Sequence, residues 1–227
     1  MIYLTSDEHY DHARIIRYSE RPFDDMHHMQ WTLIQRHNAA VQPDDTVWHL
    51  GDFTLSEETV PVILKQLNGS HNLLCGNHDK MFEGRKGYEA ATKRYIEYGF
   101  GEVHHGIIED FHGFRMCHFP YAGENKDLRY MEYRPKKTDD DRWLLNGHAH
   151  QKWAVSIERK AINIGVDAWD YRPVSLDTLI KIREEHSGKG ECVRPLAPLN
   201  NECKCIEMSV TTCKLGTPKC IVDHKGE

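Results

Sequence analysis

The stretch Asn72-Leu73-Leu74-Cys75-Gly76-Asn77-His78-Asp79 joins a short apolar run to three consecutive polar side chains that could act on one ligand. Leu73, Leu74 and Cys75 read as the end of a buried strand, and Gly76 as a point where the backbone turns sharply while staying close to something. Ligands bind at the carboxyl ends of strands in open α/β sheets, so Asn77, His78 and Asp79 are expected in a cleft. The same grammar recurs along the chain. Ile2-Tyr3-Leu4-Thr5-Ser6 runs into Asp7-Glu8-His9, Thr46-Val47-Trp48-His49-Leu50 into Gly51-Asp52, Phe114-Arg115-Met116-Cys117 into His118, and Trp143-Leu144-Leu145-Asn146 into Gly147-His148-Ala149-His150. Five strand ends thus deliver Asp7, His9, Asp52, Asn77, His118, His148 and His150. Oxygen and imidazole donors without a thiolate suit a hard or borderline divalent metal. Seven such donors are too many for one ion that keeps a coordination position open.

In this order the blocks resemble the calcineurin-like metallophosphoesterases, whose signature is Asp-x-His, Gly-Asp, Gly-Asn-His-Asp/Glu, a lone His and Gly-His-x-His. The resemblance covers roughly residues 1–180. It implies that Asp7, His9, Asp52 and His150 hold one metal, that Asp52 bridges to a second metal completed by Asn77, His118 and His148, and that His78 is the acid facing the substrate. The runs Arg21-Pro22-Phe23, Asn163-Ile164-Gly165-Val166-Asp167 and Tyr171-Arg172-Pro173-Val174 are also similar to compact bacterial and phage members, although they carry no obvious chemistry of their own. The implied fold is an α/β (α+β) sandwich of two packed mixed β-sheets flanked by helices, in four layers. The implied cofactors are two divalent ions, Mn²⁺ first, with Zn²⁺, Fe or Ni²⁺ as alternatives.

Two cations about 3.5–4 Å apart can share a carboxylate and a water, lower that water's pKa toward neutrality and clamp phosphate oxygens. Asp52 has two oxygens to offer such a pair, whereas Asn77 ligates through a neutral carbonyl. His78, beside a ligand without needing to be one, could protonate a leaving oxygen, general-acid work of about 10²–10⁴-fold. Asp79 either orients it or braces the turn. The expected activity is hydrolysis of a phosphodiester, small or nucleotide-like. Phosphomonoesterase (including protein phosphatase), nuclease and a catalytically silent metal-binding module are the alternatives. His12, Arg14, Arg21, Lys80, Arg129 and Arg172 are the nearby candidates for contact with substrate, His12, Arg14 and Arg172 foremost.

Strand, motif and helix alternate to about residue 100, the pattern of βαβ units. Met26, Met29, Leu33, Ile34, His37 and Val41 recur at helical spacing behind a cap at Asp24, with His27, His28 and His37 on the helix surface. Residues 56–69 read as a second helix capped by Ser56. Strands are expected at 103–108, 114–118, 143–146 and 154–164, and a last helix from 175 to about 185. Residues 121–142 read as a long loop, carrying tyrosines, Arg129, Arg134, Lys136 and Lys137, which could cover the cleft.

The 227 residues suit one α/β domain, with a boundary at Ser187-Gly188-Lys189-Gly190 separating a catalytic domain (1–187) from a cysteine-rich tail (188–227). That tail holds Cys192, Cys203, Cys205, Cys213, Cys220 and His224, against Cys75 and Cys117 in all that precedes, but no Cys-x-x-Cys pair. Reduced thiols are the expectation. A net charge of −6 gives no global field for polyanions, so extended nucleic-acid binding is not favoured. The amino-terminal apolar run is too short for a signal or a membrane span, and a cytoplasmic protein is expected.

Overall fold

Near the amino terminus three short runs rich in apolar residues become parallel strands, and because both faces of the sheet are covered, most of their residues are buried. The computed structural model describes residues 1–123, 129–137 and 141–186, together with the backbone of 193–194. β1 (Ile2–Thr5), β2 (Thr46–His49) and β3 (Ser70–Leu74) pair in parallel, with Leu4 beside Trp48 and Trp48 beside Asn72. β4 (Val103–His104) extends the sheet on one side, and β10 (Val174–Ser175) closes the other antiparallel to β1.

The second sheet has the order β11-β8-β9-β7-β6-β5: Val193–Arg194, Val155–Ser156, Ala161–Asn163, Trp143–Asn146, Phe114–Cys117 and Ile107–Phe111. Its central pairs β6/β7 and β7/β9 are parallel and the outer ones antiparallel, so both sheets are mixed. One buried cluster joins Leu4, Trp48 and Leu74 of the first sheet to Phe114, Met116, Trp143, Leu145 and Ile162 of the second. The alternate residue Leu73 instead joins Met29 and Leu33 of α2 (Met26–Ala40), Ile63 of α3 (Val60–Leu64) and Tyr95 of α4 (Tyr88–Tyr98). α1 (Ala13–Tyr18) follows the first strand, and α5 (Leu176–His186) buries Leu176 and Leu179 in the inter-sheet cluster. The architecture is α/β with two mixed sheets and helices, and no helix among the described residues is long and apolar enough to cross a membrane.

Several boundaries differ from expectation for local reasons. The cap of α2 is Asp25, whose side chain accepts the His28 N–H at 2.8 Å, while Asp24 pairs with the His28 ring on the surface. Of the histidines placed on that helix surface, His27 and His28 are exposed, but His37 is buried with Nε2 2.9 Å from the Asn68 carbonyl. The helix expected over 56–69 is a 3-10 turn at Glu57–Thr59 and then α3; Ser56 makes no capping bond. Pro61 fixes the real start, since its missing N–H costs nothing only in a first turn.

The expected strand 103–108 is two strands in different sheets, divided at Gly106 (φ +70°), where the chain passes from one sheet to the other. Residues 154–164 fold as the hairpin β8/β9, with Lys160 at φ +49°, a turn without the glycine or asparagine that would have announced it. Cys75 and Cys117 are buried and free, whereas the tail cysteines and His224 lie outside the described residues.

Leu74 is fully buried between the sheets. Leu74→Ala is expected to destabilise the fold by about 2–5 kcal/mol. A urea titration would register this as a lower midpoint at unchanged slope.

Candidate metal centre

Each segment carrying an expected ligand leaves the carboxyl end of a strand: β1 for Asp7 and His9, β2 for Asp52, β3 for Asn77, β6 for His118, β7 for His148 and His150. Two groups of side chains converge there. Asp7, His9 and His150 place one ligand atom each within 4.8 Å of one another, and Asp52, His118 and His148 do the same. These two His/Asp groups could each hold a metal ion. Asp52 stands between them, its Oδ2 3.6 Å from His9 Nε2 and 3.5 Å from His118 Nε2. Its other oxygen, Oδ1, is taken by the backbone N–H of His78 at 2.8 Å, so a single oxygen faces both groups rather than one oxygen each. Asn77 Oδ1 lies 3.2 Å from His118 Nε2.

The donor chemistry fits cations. His9 Nε2 is buried without a hydrogen-bond partner, an arrangement that costs free energy unless a ligand completes it. His118 donates from Nδ1 to the Leu50 carbonyl at 2.8 Å and His150 from Nδ1 to Asp167 Oδ2 at 3.0 Å. Both hydrogen bonds leave Nε2 as the ligand nitrogen, the carboxylate- or carbonyl-buttressed arrangement of metal-binding imidazoles.

The backbone is strained where it delivers these groups. Asp7, His9, Asp52, His148 and His150 all have positive φ, between +48° and +63°. Non-glycine residues enter this region at a cost of about 1–3 kcal/mol each, and such residues gather at functional sites. The motif glycines have a steric reason. A Cβ on Gly76 would stand 2.4 Å from Asp52 Oδ1, and one on Gly147 2.5 Å from Asp7 Oδ2 and 2.0 Å from Ser6 Oγ.

The charges are mutually compensating. Burial raises the Asp52 carboxyl, but the His118, His9 and His78 imidazoles outweigh it and hold Asp52 well below its ordinary value. Burial lowers the His118 imidazole, and the Asp52 and Asp7 carboxylates reverse this, pushing it up to about 9. His148, by contrast, is driven down to about 3 by burial and by the neighbouring His118.

Several residues serve the site without entering it. Asp79, fully buried, accepts the N–H groups of Asp52 (2.8 Å), Phe53 (3.1 Å) and Gly76 (2.8 Å), and so locks two ligand turns together. Of the two roles expected of Asp79, orienting His78 or bracing the turn, these bonds are the bracing one. Arg21 is likewise no substrate contact: it donates to Asp167 (2.8 and 2.9 Å), to the Asp7 carbonyl (2.6 Å) and to the Glu8 carbonyl (2.9 Å). Asn163 Nδ2 holds the His150 carbonyl at 2.7 Å. The Arg21-Pro22-Phe23 and Asn163-to-Asp167 runs, silent in sequence, are therefore the clamp on the Asp7 turn and on His150. Glu8 points away from the cluster, its Oε1 2.6 Å from His49 Nδ1, with His49 Nε2 3.0 Å from His71 Nδ1.

Of the substrate candidates, His12 joins the cluster, its Nδ1 3.3 Å from His9 Nδ1 and its ring 6.2 Å from that of His78. The His78 ring lies 5.3 Å from that of His9 and is partly exposed. Arg14 is exposed on α1, Lys80 is exposed, and Arg172 is exposed and paired with Asp170, so no described contact brings them to the ligands. From the loop expected to cover the cleft, Tyr130 sets its ring 6.4 Å from that of His148, while residues 124–128 and 138–140 of that loop lie outside the described residues.

No family model matches the chain. It is 33% identical over 206 residues to an uncharacterized protein of Methanocaldococcus jannaschii, MJ1445, covering 87% of this chain and 97% of that protein. It is 29% identical over 201 residues to the gene 66 protein of Mycobacterium phage L5, covering 78% and 91% respectively. The crystal structure of a protein of unknown function from Aquifex aeolicus, AQ665, superposes with a TM-score of 0.56 at 25% identity, over 80% of this chain and 98% of that one.

Because His118 carries a raised pKa of about 9, the protein alone holds a proton there at pH 7 that a metal must displace. Loading Mn²⁺ at pH 7 in weak buffer is expected to release protons. Affinity should rise with pH up to about 9, weakening by up to about tenfold per unit below that value through this group. Calorimetry in buffers of different ionisation enthalpy measures the release, and none at all would contradict the assignment of His118.

Proposed function

The chain belongs to the family of the Methanocaldococcus jannaschii protein MJ1445, and we propose that it is a phosphodiesterase of the calcineurin-like type, with the two-sheet core of that four-layer architecture. The observation that carries this reading is Asp52 Oδ2, within 3.6 Å of a ligand nitrogen from each of two His/Asp groups. A lone metal site has no use for a carboxylate shared in this way; a pair of cations does.

Asp7, His9, His150 and Asp52 would hold one ion, and Asp52, Asn77, His118 and His148 the other, Mn²⁺ foremost with Zn²⁺, Fe or Ni²⁺ as alternatives. Such a pair supplies a nucleophilic water near neutral pH and positive charge opposite the phosphoryl oxygens. The chain's own residues do the rest. Asp79 and Arg21 hold the ligand turns, so the site need not reorganise as charge develops. His78 has its backbone N–H on Asp52 and its ring against His9, which aims a partly exposed imidazole at whatever lies over the pair. From there it gives a proton to the departing ester oxygen as the P–O bond breaks.

A diester is favoured over a monoester dianion because two of the cations available to receive the extra charge are already engaged: Arg21 with Asp167 and Arg172 with Asp170.

Asp52→Asn is expected to remove Mn²⁺-dependent hydrolysis while the fold persists, and His78→Ala to keep both metals while lowering kcat about 10²–10⁴-fold. His148→Ala should lose one ion. Metal analysis beside steady-state kinetics separates these roles; equal metal loss in His78→Ala and His148→Ala would rule out His78 as the acid.

Bis(p-nitrophenyl) phosphate should be a better substrate than p-nitrophenyl phosphate in kcat/KM. The reverse order would move the assignment to phosphomonoesterase, and comparable cleavage of an oligonucleotide to nuclease.

A further inference from the structure

Aromatic rings stand on both flanks of the ligand cluster, and neither is accounted for by core packing alone. On the side of the first group, Tyr18 at the end of α1 is 64% exposed. It sits edge-on to His12 at 6.2 Å, and His12 in turn contacts His9 at 5.2 Å and His78 at 6.2 Å. An exposed aromatic placed one ring away from the general acid is well placed to meet a substrate.

On the side of the second group, Tyr130 lies 6.4 Å from His148 and stacks on Phe119 at 5.3 Å with the planes 27° apart. Phe82 contacts it at 5.7 Å, and Phe119 reaches both His148 at 5.0 Å and His118 at 4.9 Å. The rings behind Tyr130 are buried, but Tyr130 itself is only half-buried and has φ +59°, an unfavourable backbone for a tyrosine. Its supporting shell fixes the half-buried ring 6.4 Å from that of His148.

Flat, uncharged aromatic groups stack on such rings with little dependence on their identity. Resting on the phosphodiesterase reading above, we propose that Tyr18 and Tyr130 are specificity-determining walls, each stacking on one planar aromatic substituent of a diester whose phosphorus lies over Asp52. Tyr18 is linked to His78 through the shared neighbour His12, so it takes the leaving substituent and Tyr130, beside His148, the retained one. Aryl and nucleoside diesters share this chemistry.

The test compares bis(p-nitrophenyl) phosphate with methyl p-nitrophenyl phosphate on the full chain loaded with Mn²⁺. Both lose p-nitrophenol, but only the first retains an aromatic ring. Tyr130→Ala is expected to lower the ratio of their kcat/KM values by about tenfold through KM, and Tyr18→Ala to lower kcat/KM for both by about tenfold. Tyr18→Phe and Tyr130→Phe, which keep the rings, should restore wild-type values, a rescue that separates stacking from a hydroxyl contact. A third arm, thymidine 5′-(p-nitrophenyl) phosphate, should lose kcat/KM in Tyr130→Ala as bis(p-nitrophenyl) phosphate does, and a loss no greater than that of the methyl ester would overturn Tyr130 as the wall for a nucleoside. An unchanged ratio in Tyr130→Ala, or equal losses in the Ala and Phe variants, would overturn the walls while leaving the phosphodiesterase standing. Hydrolysis of neither diester by metal-loaded wild-type protein would overturn that reading, and this inference with it.

Discussion

A carboxylate buried to 1% exposure among imidazoles is the constraint on which this structure turns. Removing the charge of Asp52 from water is costly unless opposite charge and hydrogen bonds replace the solvent. The replacements are specific: the His78 N–H on Oδ1, and His9 and His118 within 3.6 Å of Oδ2. Each comes from a different strand end. The two sheets must therefore meet with β1, β2, β3, β6 and β7 all pointing their carboxyl ends at one place, and the apolar cluster between the sheets holds them there.

Short-range strain and long-range bracing go together in this arrangement. Five of the six residues in the two His/Asp groups sit in left-handed backbone, a conformation that would relax if the chain were free to do so. Opposing that relaxation are hydrogen bonds from side chains distant in sequence. Asp79 ties Asp52 to Gly76, and Arg21 ties Asp7 and Glu8 to Asp167, which in turn orients His150. Glycines stand where any Cβ would intrude on a ligand carboxylate. Removing a brace is thus a different perturbation from removing a ligand: the donor remains, but its direction is no longer enforced.

The same packing that serves the ligands shapes the rim. Phe119 follows directly on His118 and is buried against His148, so one ring supports two imidazoles and also backs Tyr130.

The ligand types and their attachment to strand ends were legible in the sequence because they are local. An apolar run ending in Gly-Asp, Gly-Asn-His or Gly-His-x-His needs no distant partner to be recognised, and β7 appeared with both its ends in place. Tertiary structure decided what depends on residues far apart in the chain. His37 faces inward because α2 lies on β2 and β3, residues 103–108 divide because the chain changes sheets at Gly106, and Arg21 meets Asp167 across 146 positions. Asp79 looked like a partner for His78 because the two are adjacent in sequence, yet adjacent side chains at a turn diverge, and its carboxylate found three backbone N–H groups instead. Tyr18 carried no signal, and Tyr130 none beyond its place among the tyrosines of the loop expected over the cleft, since an aromatic in a helix end or a loop acquires a role only from the rings that folding sets beside it. Sequence thus determined which donors the chain offers. The packing of two sheets determined which oxygen faces both groups, and which side chains hold it there, because those are distances between strands rather than along them.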